Sequence, residues 1–380
     1  MILGIDARIA NTPVRLGVGV YGYELIRAIT RLPGAPSLRL YLDAPPVADF
    51  PVTEAEAEIV VLPARRFWTQ RALAKALRTD PPDVFLAPVS QMPLGAPCPV
   101  IATYHGWIKM PTEERRSLRE VMHTRLIRWL ALTRAARVLV VSEESKRAIE
   151  ELPAARPERI AVTYHGVSED FSPEMDAAAL QRVREKYCLP ARYLLFLGRL
   201  NPRKNLLRTI TAFEELRAAN PGMPHHFVLA GTPQGDHGET MRRIEASPVK
   251  AYIHAIGHVE RGDVQALLVA SDALVLVSHL ESFGIPVAEA MACGTPVVTS
   301  NTTCMPEIVG DAGLCVDPLD VNAIRDAMAT ALLDKPARAT LIARGLDRVK
   351  QFTWENTARQ TVAIAREVLE EKGTGNVRTR

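Results

Sequence analysis

Cysteine is scarce and follows no pairing pattern. Cys98, Cys188, Cys293, Cys304 and Cys315 are the whole complement, and no two of them form a CxxC pair. An odd, scattered set argues against a disulfide framework or a thiolate zinc site, and buried free thiols are the expectation. No run of about 18 uninterrupted apolar residues exists, the length that a spanning helix needs. No basic leader precedes Met1-Ile2-Leu3-Gly4-Ile5-Asp6, which reads directly as a strand, so a cytoplasmic protein is expected. A charge imbalance is lacking too: 46 Lys and Arg against 43 Asp and Glu leave +3, too little to argue for a nucleic-acid partner. There is no short-period repeat. What is present is ordinary for a soluble globular protein, 47% hydrophobic and 23% charged residues. A chain of 380 residues exceeds the size at which one core stops growing, so two domains are expected.

The most informative stretch runs from Glu281 to Val298. Ala273-Leu274-Val275-Leu276-Val277 before it is a continuous apolar run of strand length, as in a parallel strand buried on both faces. Pro286 suits the start of a helix and Gly294 the left-handed residue that ends one, which predicts a helix of about two turns. The connecting loop then lies at the carboxyl edge of the sheet, where open α/β folds bind ligands. N–H groups near Phe283 to Ile285 would offer an anion site there, within reach of Glu281 and Glu289.

Strand-then-helix segments recur through about the first 165 residues, the pattern of a doubly wound parallel sheet. After Ile2 to Asp6 comes Gly17-Val18-Gly19-Val20-Tyr21-Gly22, formally G-x-G-x-x-G, and Asp43 closes the next strand. A dinucleotide-binding oxidoreductase is one reading of that pattern, but ten residues separate Asp6 from Gly17 where the fingerprint wants none. A plain packing loop is another, and a loop bringing Gly17 and Gly19 close to a phosphate or sugar is the preferred one. Val100 to Tyr104 reads as a strand ending in His105-Gly106, so His105 sits where active sites collect, although a histidine without chemistry is also consistent. Residues 167–176 are polar and aperiodic and read as the linker. A second series begins at Tyr193. Its first strand runs into Gly198-Arg199-Leu200-Asn201-Pro202-Arg203-Lys204-Asn205, a glycine turn with a guanidinium fork and an ammonium, suited to a diphosphate. The bland alternative is a loop whose cations face water.

Gly198-Arg199 through Lys204, the Gly257-His258-Val259 turn, the Glu281-x7-Glu289 pair, Gly294-Thr295-Pro296-Val297-Val298, Pro306-Glu307 and Gly310 together resemble family 4 of the retaining glycosyltransferases. The resemblance is strong from Leu195 to Asp317 and weaker in the N-terminal half. It implies an α/β chain with the GT-B fold, two facing Rossmann-like domains with an active site in the interdomain cleft. Residues 1–168 with 363–380 would form the acceptor-side domain and its crossover helix, and 172–362 the nucleotide-sugar domain. By position, Gly198, Arg199 and Lys204 would hold the donor diphosphate and Glu289 the ribose hydroxyls. Glu281, with Ser282 and the backbone at Phe283, Gly284 and Ile285, would hold the donor sugar, and Val259 would also contact the donor. His105 would lie beside the transferred sugar, and Gly17 and Gly19 would let the N-terminal loop approach phosphate or acceptor. His165 departs from the family, which commonly carries Asn before Gly-Val.

The expected reaction is hexose transfer from a nucleotide diphosphate sugar to a hydroxyl with retention. A GDP-mannose or UDP-sugar donor and a saccharide or lipid-linked saccharide acceptor are what the resemblance suggests. No DxD-like acid pair flanks these loops, and neither a metal nor another cofactor is expected. A nucleotide-sugar epimerase or phosphorylase of the same fold, and a non-catalytic binder, remain alternatives. From Val61 to Arg147 the sequence holds fifteen Lys and Arg against seven Asp and Glu. There Leu118, Met122, Leu126 and Trp129 recur at helical spacing among arginines, and Phe67-Trp68 precedes Arg71, Lys75 and Arg78. These stripes face either the core or an anionic membrane surface.

Overall fold

The computed structural model describes residues 1–15, 17–64, 66–106, 118–232 and 238–377. By internal contacts the described chain forms two units, one of 1–106, 118–166 and 353–377, the other of 167–352.

In the first unit the apolar runs become strands β1 (Ile2–Asp6), β2 (Ser37–Leu42), β3 (Glu58–Val61), β4 (Val84–Ala87), β5 (Val100–Tyr104), β6 (Arg137–Val140) and β7 (Ile160–Val162). They pair in parallel in the order β3-β2-β1-β4-β5-β6-β7. Helices α1 (Val18–Thr30), α2 (Ala74–Thr79), α3 (Leu118–Arg134) and α4 (Glu143–Glu150) lie among the connections. Side chains alternate between faces along a strand, and the cores divide accordingly. Leu3, Ile5, Leu40, Leu86 and Leu139 belong to one apolar cluster, whereas Tyr41, Phe85, Ala87, Val138 and Val140 belong to another. Because both faces are covered, the strands read as unbroken hydrophobic runs.

The second unit holds α5 (Ala177–Lys186), β8 (Tyr193–Leu197), α6 (Leu206–Ala219), β9 (His226–Ala230), α7 (Gly238–Glu245), β10 (Ile253–Gly257), α8 (Val264–Ala270) and β11 (Ala273–Leu276). It continues with α9 (Ile285–Ala292), β12 (Val297–Ser300), α10 (Met305–Val309), β13 (Gly313–Val316), α11 (Val321–Leu333) and α12 (Lys335–Arg348). The sheet order is β10-β9-β8-β11-β12-β13, all parallel. Strand order reverses beside β1 and beside β8, and the carboxyl ends there are the crevices where doubly wound sheets take ligands.

The last helix, α13 (Trp354–Val377), corrects the expected boundary. It joins the first unit from Thr353, ten residues before the 363 read from the sequence. The cause is its apolar stripe: Trp354, Ala358, Val362, Ala365 and Val368 recur at helical spacing and are all buried in the core that contains α1. Gly166 makes the return possible. A Cβ there would stand 2.1 Å from the backbone nitrogen of Trp354, so only glycine admits the two chains this close. The apolar spacing around Leu118 to Trp129 reads as a helix from Glu113 to Ala136, whose beginning falls outside the described residues.

Candidate functional site

The loops that follow β8 and β11 meet because those strands are neighbours. On the other side of β8, just past the end of β9, Gly231 admits a close backbone approach: a Cβ on it would lie 1.8 Å from the Gly198 carbonyl oxygen. The segment Pro202–Lys204 makes a single tight turn, and Asn205, left-handed at φ 57°, starts α6. That turn inserts Lys204 and Arg203 into the interior, 8% and 9% exposed. Lys204 pairs with Glu281, itself 9% exposed, through Nζ and Oε1. Arg203 Nη1 stands 4.0 Å from the other Glu281 oxygen and donates to the Leu280 carbonyl at 3.3 Å, while the His279 amide donates to the Arg203 carbonyl at 2.9 Å. Ser278 Oγ donates to Glu281 Oε1 at 2.9 Å. Burial opposes ionisation of Glu281, but Lys204 and Arg203 outweigh it and hold the carboxyl below its ordinary range. Arg199 differs: it is exposed and makes no ion pair among the described residues. The alternative of three water-facing cations therefore holds for Arg199 alone.

Helix α9 begins as its residues dictate. Gly284 is its left-handed N-cap at φ 84°, where a Cβ would meet Met305 at 2.4 Å, and Pro286 sits in the first turn. Gly294, at φ 67°, closes it. Phe283 is buried and packs edge-on against Phe352 with ring centroids 5.5 Å apart, while Ser282 and Ile285 are partly exposed. Glu289 falls in the second helical turn, 2% exposed, with Oε1 2.6 Å from Arg261 Nη1. Val259, 8% exposed, lies on the same β10–α8 turn as Arg261.

In the first unit, Gly17 is the N-cap of α1 with open space where a Cβ would be. Gly19 belongs to the helix and not to the loop before it. It lies inside the first turn of α1, where a Cβ would come 3.1 Å from the Ile9 carbonyl, and Gly22 abuts the Ile9 side chain. Close packing of α1 on the turn after β1 calls for a small residue at both positions. His105 follows β5 and is wedged against Tyr21 (centroids 4.6 Å apart) and His165 (5.3 Å). Its Nε2 lies 2.9 Å from the Pro88 carbonyl, which can only accept, so Nε2 carries the proton and Nδ1 presents a lone pair. Burial pushes the imidazole down to about 4, against the raising effect of Pro88. His165 stacks between Tyr21 and Trp354 and is likewise held neutral, by burial first and then by His105.

Three residues of these clusters carry no role in the motif reading: Arg203, Arg261 and Tyr21. A tight Pro202 turn ahead of a left-handed residue is the local signal for Arg203; Arg261 pairs across 28 positions and leaves none. Met122, Leu126 and Trp129 on α3 are 63%, 52% and 50% exposed, so this stripe does not enter the core. Trp68 does, donating Nε1–H to the Leu62 carbonyl, whereas Phe67 is exposed. Among the described residues no three His, Cys, Asp or Glu side chains converge as a metal site, and no helix is long and apolar enough to cross a membrane.

Two parallel, doubly wound units of this kind, the second with its buried cation–acid cluster at the strand-order reversal, define a glycosyltransferase of the GT-B fold. Sucrose-phosphate synthase from Thermosynechococcus elongatus superposes with a TM-score of 0.76 at 20% identity over 98% of this chain and all of that one. Anabaena HepE in complex with UDP and glucose gives 0.74 at 20% identity, over 96% of this chain and 98% of its own. The family description "Glycosyltransferase Family 4" matches residues 17–171, and "Glycosyl transferases group 1" matches 183–348. The O-antigen chain mannosyltransferase B of Escherichia coli is 30% identical over 93% of this chain and 97% of its own length. The serotype-specific mannosyltransferase WbdA of Escherichia coli is 30% identical over 60% of this chain but only 28% of its own. The chain belongs to glycosyltransferase family 4, and the dinucleotide-dependent oxidoreductase is thereby set aside.

Proposed function

We propose that this enzyme transfers a hexose, mannose from GDP-mannose being the first choice, from a nucleotide diphosphate sugar to an acceptor hydroxyl with retention at the anomeric carbon. The observation that carries the reading is the Lys204–Glu281–Arg203 assembly beside the exposed Arg199 at the end of β8. An ammonium has three donors and Glu281 engages one of them, so Lys204 is held in place for a phosphate oxygen. Arg199 offers a planar fork to the same diphosphate. Glu281, Ser282 and the backbone from Phe283 to Ile285 hold sugar hydroxyls, Glu289 holds the ribose, and Val259 flanks the nucleotide. His105 lies beside the transferred sugar, and the open space at Gly17 admits phosphate or acceptor. No carboxylate is assigned as a covalent nucleophile. The departing phosphate takes the acceptor proton as the new glycosidic bond forms on the face it leaves. No metal or other cofactor is required.

Catalysis then rests on stabilising charge on the leaving diphosphate, and removing one preorganised donor from such a site costs about 3 kcal/mol, roughly a hundredfold in rate. Turnover by Arg199→Ala and Lys204→Ala should fall at least that far, while Glu289→Gln mainly raises the donor KM. Equal, small effects in all three would overturn the assignment. A thermal-shift panel of nucleotide sugars identifies the donor, because a specific ligand raises stability by mass action. Release of nucleotide from donor alone, without acceptor, would favour the epimerase or phosphorylase reading instead.

The exposed Met122, Leu126 and Trp129, with exposed Arg119 and Arg125 on the same helix, support a second element of the proposal: peripheral attachment to an anionic bilayer and a lipid-linked saccharide acceptor. Each basic residue at such a surface is worth about 1 kcal/mol. Trp129→Glu should abolish co-sedimentation with phosphatidylglycerol vesicles at low salt and spare transfer to a water-soluble acceptor. Wild-type protein that ignores those vesicles would remove the membrane element and leave the transfer reaction standing.

A further inference from the structure

Glu289 is a charge in an expensive place. It is 2% exposed, and it sits in the second turn of α9, past the first-turn amides that favour an anion at a helix start. A carboxylate so placed stays ionised only if something compensates it. Arg261 does so from the β10–α8 turn, 2.6 Å away, with its guanidinium stacked over Phe171 at 4.7 Å. The turn that carries Arg261 is itself fastened. Lys186 bridges Glu260 at 2.9 Å and Asp263 at 2.7 Å, Tyr187 donates to Asp263 at 2.8 Å, and the Glu260 amide donates to the Tyr187 hydroxyl at 3.2 Å. A guanidinium does not deprotonate in proteins, and its planar fork fixes the orientation of what it binds.

We propose that Arg261 is a positioning residue for the donor: it keeps Glu289 ionised and fixes the carboxylate where the ribose hydroxyls are read. This rests on the reading of Glu289 as the ribose acceptor and adds to it a residue outside the family's motif. The arrangement also balances the electrostatics of the second unit's site. With Glu281 faced by Lys204 and Arg203 and Glu289 by Arg261, the exposed Arg199 brings further positive charge for a diphosphate.

The test is a cycle of Arg261→Gln, Glu289→Gln and the double variant, with Arg261→Lys as the conservative control. Donor KM, kcat and thermal midpoint are measured for each, using the nucleotide sugar that wild-type protein turns over. Arg261→Gln should raise donor KM about tenfold with kcat within about twofold, and Arg261→Lys should recover most of the loss. In the Glu289→Gln background the same substitution should change KM by less than about twofold. Arg261→Gln should also lower the thermal midpoint, and the double variant should regain part of that loss, because the buried carboxylate that Arg261 faces is removed with it. An unchanged or lower KM in Arg261→Gln, or effects of the two substitutions that simply add, overturns the inference. If wild-type protein binds no nucleotide sugar, the donor reading itself fails and takes the ribose role with it, while the stability cycle still reports whether Arg261 and Glu289 are coupled.

Discussion

Lys204 and Glu281 each make the other tolerable in the interior. Removing one partner of a buried pair typically costs 3–5 kcal/mol because the remaining charge is left uncompensated, so Lys204→Ala should lower the thermal midpoint as well as turnover. Lys204→Ala with Glu281→Ala should regain part of the stability and none of the activity, which separates folding from chemistry. Histidine gives the pH dependence. His105 is lowered from about 6.5 to about 4, so above pH 6.5 both folded and unfolded chains carry it neutral. Between pH 6.5 and 4 the unfolded chain takes up a proton that the folded one refuses, and stability falls as pH falls. For His105 the loss approaches about 3 kcal/mol below pH 4, at 1.36 kcal/mol per unit, and His165 adds to it in the same direction. Urea unfolding at pH 7, 5.5 and 4 measures this. His105→Gln should flatten the slope, and a wild-type stability that is level from pH 7 to 4 would contradict the burial argument.

At the level of elements, glycines mark where backbones touch. Gly166→Ala should destabilise by about 3 kcal/mol or more, since neither chain can shift without opening the packing of α13, and denaturant unfolding would register it. The strands were legible because parallel strands covered on both faces appear as apolar runs such as Tyr193–Leu197 and Ala273–Leu276. Helix α9 was legible too, since Pro286 and Gly294 act locally. What could not be read is pairing at a distance. Lys204 and Glu281 are 77 positions apart, and nothing nearby in sequence names the acid that Lys204 meets. The face of α3 was ambiguous for a different reason: a helical stripe has the same period whether it meets a core or a bilayer. G-x-G-x-x-G records only spacing, and nothing in it says that Gly19 and Gly22 lie within α1 and against Ile9.

Across the whole molecule, the chain threads the second unit between two pieces of the first. Residues 167–352 carry their own sheet and core and should fold alone. Residues 1–352, by contrast, lack Trp354, Ala358, Val362, Ala365 and Val368, and would leave their places in the α1 core open. Full burial of a valine is worth about 1.5 kcal/mol or more. Truncation at 352 should therefore broaden or split the unfolding transition, with the second unit's melt retained, and calorimetry would resolve the two. A single sharp transition at the wild-type temperature would show α13 to be dispensable.

The same threading sets an order of events during synthesis. Most of the first unit is made before the second, yet its core waits for Trp354 to Val368, some two hundred codons later, while the second unit can finish folding in between. Through that interval the apolar surface that α13 covers stays open to chaperones and to neighbouring chains, and a stop codon directly after Phe352 would fix it in that state.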